Sequence, residues 1–397
     1  MSFRRFLSAL RPGLRAPLAV LFALALAFTM SLARPASSAK RLDGKAIFRF
    51  DTFGDEQLWT DTLRLNGVIE TSVSPATALG VGLKVDSEAL PEGFLATHDL
   101  NDPATTVELI RLNAVVGVGG RVADGHLKSV GITCAICHST VDNSVTRGVG
   151  RRLDGWPNRD LNPGAIIALS PALTAAQKAV YNSWGPGKYD ARFNIDGINL
   201  PAVIPPAFGL QGVGFETFTG DGPISYWNNY VAVTQMGGHG SFEDPRIGVS
   251  VTQTPDLVTP KLPALLQYEL SLQTPPPPAG TFDPKAARRG AALFKGKANC
   301  ASCHIPPTYT DVLSGPDPSV PFLHDPGEIG TEPVYASRSA TKRYRTTPLR
   351  ALWQHPPYFH DGRAPDLLAV VNHYDQFFGL GLNDKQKADL VEFLKTL

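Results

Sequence analysis

All four cysteines of the 397-residue chain fall into two short runs, Cys134-Ala135-Ile136-Cys137-His138 and Cys300-Ala301-Ser302-Cys303-His304. Two thiols at this spacing can each add to a vinyl group of one porphyrin, and the histidine that follows can bind the iron through a ring nitrogen. The runs read as attachment sites for two covalently bound haem c groups. Cys134, Cys137, Cys300 and Cys303 are the anchors, and His138 and His304 the iron ligands. A redox CxxC or half of a zinc site would account for one run. Neither accounts for two runs that both end in histidine and leave no cysteine over.

Each iron then needs a second axial ligand or an open face, and that choice separates an electron carrier from an enzyme. Met236, in a Gly-rich loop 98 residues past His138, is a candidate thioether ligand for the first iron, with His239 as its competitor. Gap-filling in a core is the alternative role for this methionine. For the second iron the candidates are His324, His355, His360, His373 and Tyr374. His373 and Tyr374 are successive residues of an expected helix, so they point about 100° apart and one of them alone can reach the metal. Imidazole is the better intrinsic ligand, whereas tyrosine needs the ionisation that a ferric neighbour favours. Arg151, Arg152 and Arg159 follow the first run and suit buried haem propionates, or else they are solvated loop charge. Trp156, Trp227 and Trp353 are candidates for an electron relay, with packing as the alternative. Peroxide chemistry would also require an acid–base group, for which Glu216 and His239 are the candidates.

The elements that must hold these residues are mainly helical, with long loops; the chain carries 34 prolines and 37 glycines. A strand-like stretch, Ala46 to Phe50, precedes a helical apolar pattern from Phe53 to Val68, in which Trp59 reads as core. Thr71 to Val85 reads as irregular, and Val115 to Val122 as a strand or turn beside the cofactor. Thr174 starts a short helix that ends near Trp184. Residues 185–260 are loop-dominated and aromatic. The four prolines within Gln273–Gly280 mark a stiff linker. Beyond it Asp283-Pro284 opens a helix that carries Gly290 and Phe294 and ends before Cys300. Ala364 to Phe378 forms a further helix. Asn383, with Gln386 three residues on, caps a last helix that buries Leu390, Val391, Leu394 and Leu397. A helix, a CxxCH loop and a C-terminal amphipathic helix are the layout of a small cytochrome c domain, with Gly290 and Phe294 where the two terminal helices cross. The expected organisation is a signal peptide at 1–39, an N-terminal haem c domain with large irregular insertions at 40–272, a linker at 273–280, and a C-terminal cytochrome c domain at 281–397.

Residues 1–39 place four arginines before an apolar run from Leu18 to Met30, followed by small residues. That pattern is a secretory signal, too short for a comfortable membrane span; an uncleaved anchor is the alternative. Its removal takes away five arginines and no acids, which leaves 32 basic against 36 acidic residues. A mildly acidic mature chain has no basic field for nucleic acid. Export agrees with haem c, which is attached outside the bacterial cytoplasm, so the periplasm is the expected location, with no stable membrane span after cleavage.

From Arg345-Thr346-Thr347-Pro348-Leu349-Arg350 through Pro357-Tyr358-Phe359-His360-Asp361-Gly362 to the last helix, the sequence resembles the bacterial di-haem cytochrome c peroxidase and MauG family. The likeness is strong over roughly the last 115 residues and weak before them, and the 166 residues between Cys134 and Cys300 agree with it in order and spacing. The resemblance implies that His304 is a proximal ligand, that His360 lies near the C-terminal haem without binding it, and that the distal position falls at Tyr374. It also implies a calcium ion at the domain junction, for which no ligand cluster stands out. The N-terminal half departs from the pattern, because no histidine occurs between His138 and His239 where the family's displaceable distal ligand would stand. The expected function is a periplasmic di-haem c-type cytochrome in electron transfer, served by a redox partner protein or a small electron donor or acceptor. The alternative is a peroxidase or MauG-like oxidoreductase with an open distal site on the N-terminal haem.

Overall fold

The computed structural model describes residues 42–397; the signal expected over 1–39 lies outside them. Helix α1 (Gly44–Phe50) starts where the Asp43 carboxylate accepts from the amides of Lys45 and Ala46. The strand expected over Ala46–Phe50 is thus a helix: the cap and the burial of Ile47 and Phe48 outweigh the strand preference of aromatic and β-branched residues. The helix expected over Phe53–Val68 is broken. Phe53 and Arg64 hold left-handed backbone, with φ of 55° and 58°, and divide it into a π-helical stretch, Gln57–Thr62, and α2 (Leu65–Ser72). Trp59 is core, as expected, and its indole N–H donates to the Met236 carbonyl at 2.9 Å. The stretch expected to be irregular holds α3 (Pro75–Gly80), which begins with a Ser74 cap and proline at the first turn.

Helix α4 (Pro103–Arg111) leads to an antiparallel hairpin, β1 (Val118–Ala123) with β2 (His126–Ile132). This hairpin delivers the chain to Cys134. Among the described residues every sheet has two strands, so the class is mainly helical. Helix α5 (Ala135–His138) is the single turn of the first CxxCH run. Helix α6 (Ala175–Asn182) carries the capping box of Thr174 and Gln177. Helix α7 (Ile224–Tyr230) and helix α8 (Leu262–Ser271) pack together, and α8 also packs on α1. Residues 273–278 lie outside helix and strand.

Asp283 then caps α9 (Pro284–Lys295), Asp366 caps α10 (Leu367–Phe378), and Asn383 and Gln386 form a capping box on α11 (Asp384–Leu394). Helices α9 and α11 cross at Gly290, where a Cβ would lie 1.9 Å from the Asp389 carbonyl oxygen. The Phe294 and Phe393 rings meet edge to face at 5.1 Å beside that crossing. Phe294, Leu352, Leu367, Val371, Leu390 and Leu394 form the C-terminal core. Residues 43–397 make one compact unit. Its two halves are tied by buried ion pairs: Arg338 reaches Asp190 at 2.9 Å and Asp196 at 2.7 Å, and Arg345 reaches Glu216 at 3.0 Å. No helix among the described residues is long and apolar enough to cross a membrane.

Candidate metal centres

The first CxxCH run is held from two sides. Thr133 N–H donates to the Gly117 carbonyl at 2.9 Å, and the His138 N–H closes the turn on the Cys134 carbonyl at 3.2 Å. Gly117, at φ 78°, passes so close that a Cβ there would sit 2.1 Å from the Ile136 nitrogen, so the hairpin supports the turn through bare backbone. His138 Nδ1 lies 3.1 Å from the Pro205 carbonyl oxygen. A carbonyl can only accept, so Nδ1 carries the hydrogen and Nε2 presents a lone pair. Burial pushes the His138 pKa down to about 4, which keeps the ring neutral. The Cys137 thiol is pushed up to about 12 by burial, and Cys134 is raised for the same reason.

The second run repeats the arrangement. Asn299 takes left-handed backbone after α9, Cys300–Ser302 form a 3-10 turn, and His304 N–H bonds to the Cys300 carbonyl at 2.9 Å. His304 Nδ1 lies 2.9 Å from the Tyr309 carbonyl oxygen, again leaving Nε2 bare, and burial lowers its pKa. All four cysteines are free thiols.

The candidates for the second axial positions separate by their partners. His324 has both nitrogens occupied, by Asp311 and Glu328 at 2.9 Å each, and the Asp311 bond leads the rise of its pKa to about 9. It is a clamped imidazolium and has no free lone pair for iron. His355 Nε2 is 3.0 Å from the Arg350 carbonyl, and His360 Nε2 is 2.8 Å from Glu332. The Tyr374 side chain is half-buried, with Cys300 and Cys303 near enough to add to the rise, caused first by desolvation, that takes its pKa to about 12. The adjacent His373 stacks parallel to Phe377 at 6.3 Å and has a sealed, unpartnered Nε2. Of the two, tyrosine is the residue beside the thiols.

Around the first run, Met236 is buried in the cluster that holds Phe53, Val116, Ala135 and Val258, with Cys134 packed against it. His239 is partly exposed, its Nδ1 2.7 Å from the Pro255 carbonyl. Glu216 is bound to Arg345 at 3.0 Å and lies 3.6 Å from Arg350, so it is a salt-bridge carboxylate without freedom to move a proton. Glu269, on α8, is the buried acid that reading the chain in order misses. Burial pushes it up to about 8, it accepts from Asn228 Nδ2 at 2.6 Å, and it is close enough to raise the Cys134 thiol further. Hydrophobic neighbours on a helix gave no sign of it.

The three arginines expected at propionates differ in the same way. Arg151 is exposed and paired with Asp142 at 2.9 Å; Arg152 is buried and paired with Asp86 at 3.1 Å. Arg159 has no carboxylate partner among the described residues. Its Nη2 donates to the His355 carbonyl at 3.3 Å, while Nε and Nη1 are sealed from solvent without a partner among the described residues. A buried guanidinium left in this state fits an anionic group such as a haem carboxylate. The expected calcium ion fits less well. At the junction Asp190, Asp196, Asp221 and Glu216 are each paired with arginine, and the grouping of metal-type donors within 4.8 Å, Cys303, Asp311 and His324, uses a thiol that the haem reading requires.

No family model matches the chain. Among curated proteins it is 36% identical over 124 residues to the methylamine utilization protein MauG of Methylorubrum extorquens, covering 28% of this chain and 34% of that protein. It is 32% identical over 145 residues to the cytochrome-c peroxidase IdrP2 of Pseudomonas sp., covering 28% and 39%. To MauG of Methylophilus methylotrophus it is 28% identical over 132 residues, covering 28% and 37%. The chain therefore spans little more than a third of the length of these relatives. A solved structure of hydrazine synthase from Kuenenia stuttgartiensis, pressurised with xenon, aligns at a TM-score of 0.32 and 20% identity over 50% of this chain and 72% of that one, a likeness too slight to argue from. The shared stretch is the size of the segment after the proline run, and over it the chain is similar to MauG and to cytochrome-c peroxidases.

Proposed function

We propose that this chain is a periplasmic di-haem c-type cytochrome that carries electrons to or from a redox partner. The observation that supports it best is the repeated histidine geometry. In both CxxCH runs Nδ1 is tied to a backbone carbonyl, Pro205 in one and Tyr309 in the other, so that Nε2 is bare. When bound, each haem supplies a one-electron couple. The chain itself orients the two imidazoles, keeps them neutral, and holds the attachment thiols partly buried. Tyr374 is the second axial ligand of the C-terminal haem in this reading, with His373 held off by its own helix geometry. Residues 273–280 divide a haem-one domain from a haem-two domain at 281–397. Material matured in a periplasm with haem-attachment machinery should show two haems per chain by pyridine haemochromogen and by mass. Absence of added cofactor mass would end the proposal.

Two observations favour a second reading, an oxidoreductase acting on peroxide or a related oxidant at haem one. Met236 lies in the core cluster with Ala135, and Glu269 is a buried acid beside Cys134 that can hold or release a proton near pH 8. In that case Glu269 does the proton work for which Glu216 is not free. Spectroscopy discriminates the two. A high-spin, five-coordinate haem one whose peroxide turnover is lost in Glu269→Gln supports the enzyme, and two low-spin haems support the carrier.

A further inference from the structure

Between the two haem segments, two guanidiniums share one carboxylate and a third has none among the described residues. Arg345 donates to Glu216 and to the Phe215 carbonyl, and its Nε is sealed and unpartnered. Arg350 leans on the same Glu216 at 3.6 Å and donates to the Gly209 carbonyl at 2.7 Å. Arg159 contacts no acid among the described residues. Burial lowers its pKa to about 10, and the one charge that opposes this is the Tyr358 phenol. Buried cations are costly unless an anion meets them, and water satisfies N–H groups without cancelling charge. The interior is therefore built for anions it does not itself supply.

Arg159 is also the best placed of the three. Its neighbour Asn158 donates its backbone N–H to the Cys137 carbonyl at 2.9 Å and its side-chain amide to the Gly82 carbonyl at 2.9 Å, so its position is fixed relative to the first CxxCH turn. Its charge is felt at His138 and at His355, and it is not among the influences on His304.

We propose that Arg159 is the carboxylate anchor of haem one. It binds a propionate of the group attached at Cys134 and Cys137, and its bond to the His355 carbonyl ties that group to the C-terminal segment. The proposal rests on the di-haem reading and adds a residue that positions the cofactor and tunes it electrostatically.

The test uses holoprotein whose haem content is first counted. Arg159→Gln should lower the midpoint potential of haem one in spectroelectrochemistry, because a positive charge that favours the ferrous state is gone. It should also make that potential pH-dependent as the propionate regains its own titration. Arg159→Lys, which keeps the charge, should shift it less, and Arg151→Gln, at an exposed pair, should not shift it. A haem-one potential and pH profile in Arg159→Gln that superimpose on wild type would overturn the proposal, even if stability falls. If that variant does not mature, the propionate bending modes of wild type and Arg159→Lys decide in resonance Raman: modes that coincide refute the contact. A wild-type chain with fewer than two haems would instead refute the reading beneath it.

Discussion

Replacing Gly290 by alanine puts one methyl group between α9 and α11. Built on the observed backbone, that carbon lies 1.9 Å from the Asp389 carbonyl oxygen, 2.6 Å from its carbon and 2.8 Å from the Phe393 Cβ. Ordinary carbon contacts are about 3.5–4.0 Å, so the helices must part by roughly 1.5 Å at this point. The obstructing atoms are backbone, which cannot swing aside as a flexible side chain would. Overpacking of this kind costs about 1–3 kcal/mol, and the rigid neighbour argues for the upper end. Against it stands the gain of about 1 kcal/mol when alanine replaces glycine inside a helix. The net expectation is a loss of about 1–2 kcal/mol for Gly290→Ala, and more for Gly290→Val. The shift reaches the second metal centre, because the Phe294 ring lies 6.4 Å from the His304 imidazole and 6.1 Å from the Tyr309 ring, whose residue carbonyl fixes that imidazole. Denaturant unfolding of the holoprotein, followed at the haem-two absorbance, measures the loss by linear extrapolation. A Gly290→Ala protein as stable as wild type, or more so, would refute the argument that the crossing is closed by backbone contact.

Tyr374→Phe should change the oxidised haem-two spectrum and electron paramagnetic resonance, while His373→Ala leaves both in place; the opposite result would assign the position to imidazole. Met236→Ala should cost about 2–5 kcal/mol as a core truncation and leave the haem-one spectrum unaltered; a changed spectrum would make the sulfur a ligand. The His324 clamp predicts a pH effect. Its folded pKa of about 9 stands above the unfolded value of about 6.5, so its stabilisation is complete below pH 6.5 and is lost as pH rises through 9. The shift amounts to about 3 kcal/mol at most, and to about 2 after screening at the exposed Glu328, so the stability gap between wild type and His324→Gln should close between pH 6 and 10. A gap that stays constant over that range would refute the clamp.

What could be read from the chain alone was what depends on neighbours in sequence. Asp283, Thr174 with Gln177, and Asn383 with Gln386 start helices through bonds spanning two or three residues, and each does so in the fold. Ser74-Pro75 carries the same kind of local signal for α3. The breaks at Phe53 and Arg64 were not legible, since neither residue type announces left-handed backbone. Nor was the fate of Glu216, whose partner Arg345 stands 129 residues away, or the difference between Arg151 and Arg159, which depends on what the fold places opposite each.

The two candidate centres differ in the same respect. The carbonyl that orients His304 belongs to Tyr309, five residues on, whereas the one that orients His138 belongs to Pro205, 67 residues on. Tyr374 and the α9–α11 crossing also lie within the segment that follows the proline run, so the second centre is assembled almost entirely from one contiguous stretch. A site with that property keeps its pattern in the sequence, which is why the resemblance is strong there. The first centre borrows Gly117, Pro205, Asn228 and Glu269 from separate elements of the chain. A centre assembled in this way can keep its chemistry while its sequence pattern drifts, so the weak N-terminal likeness is not evidence against a second haem there. It locates the part of the molecule where function has to be tested residue by residue.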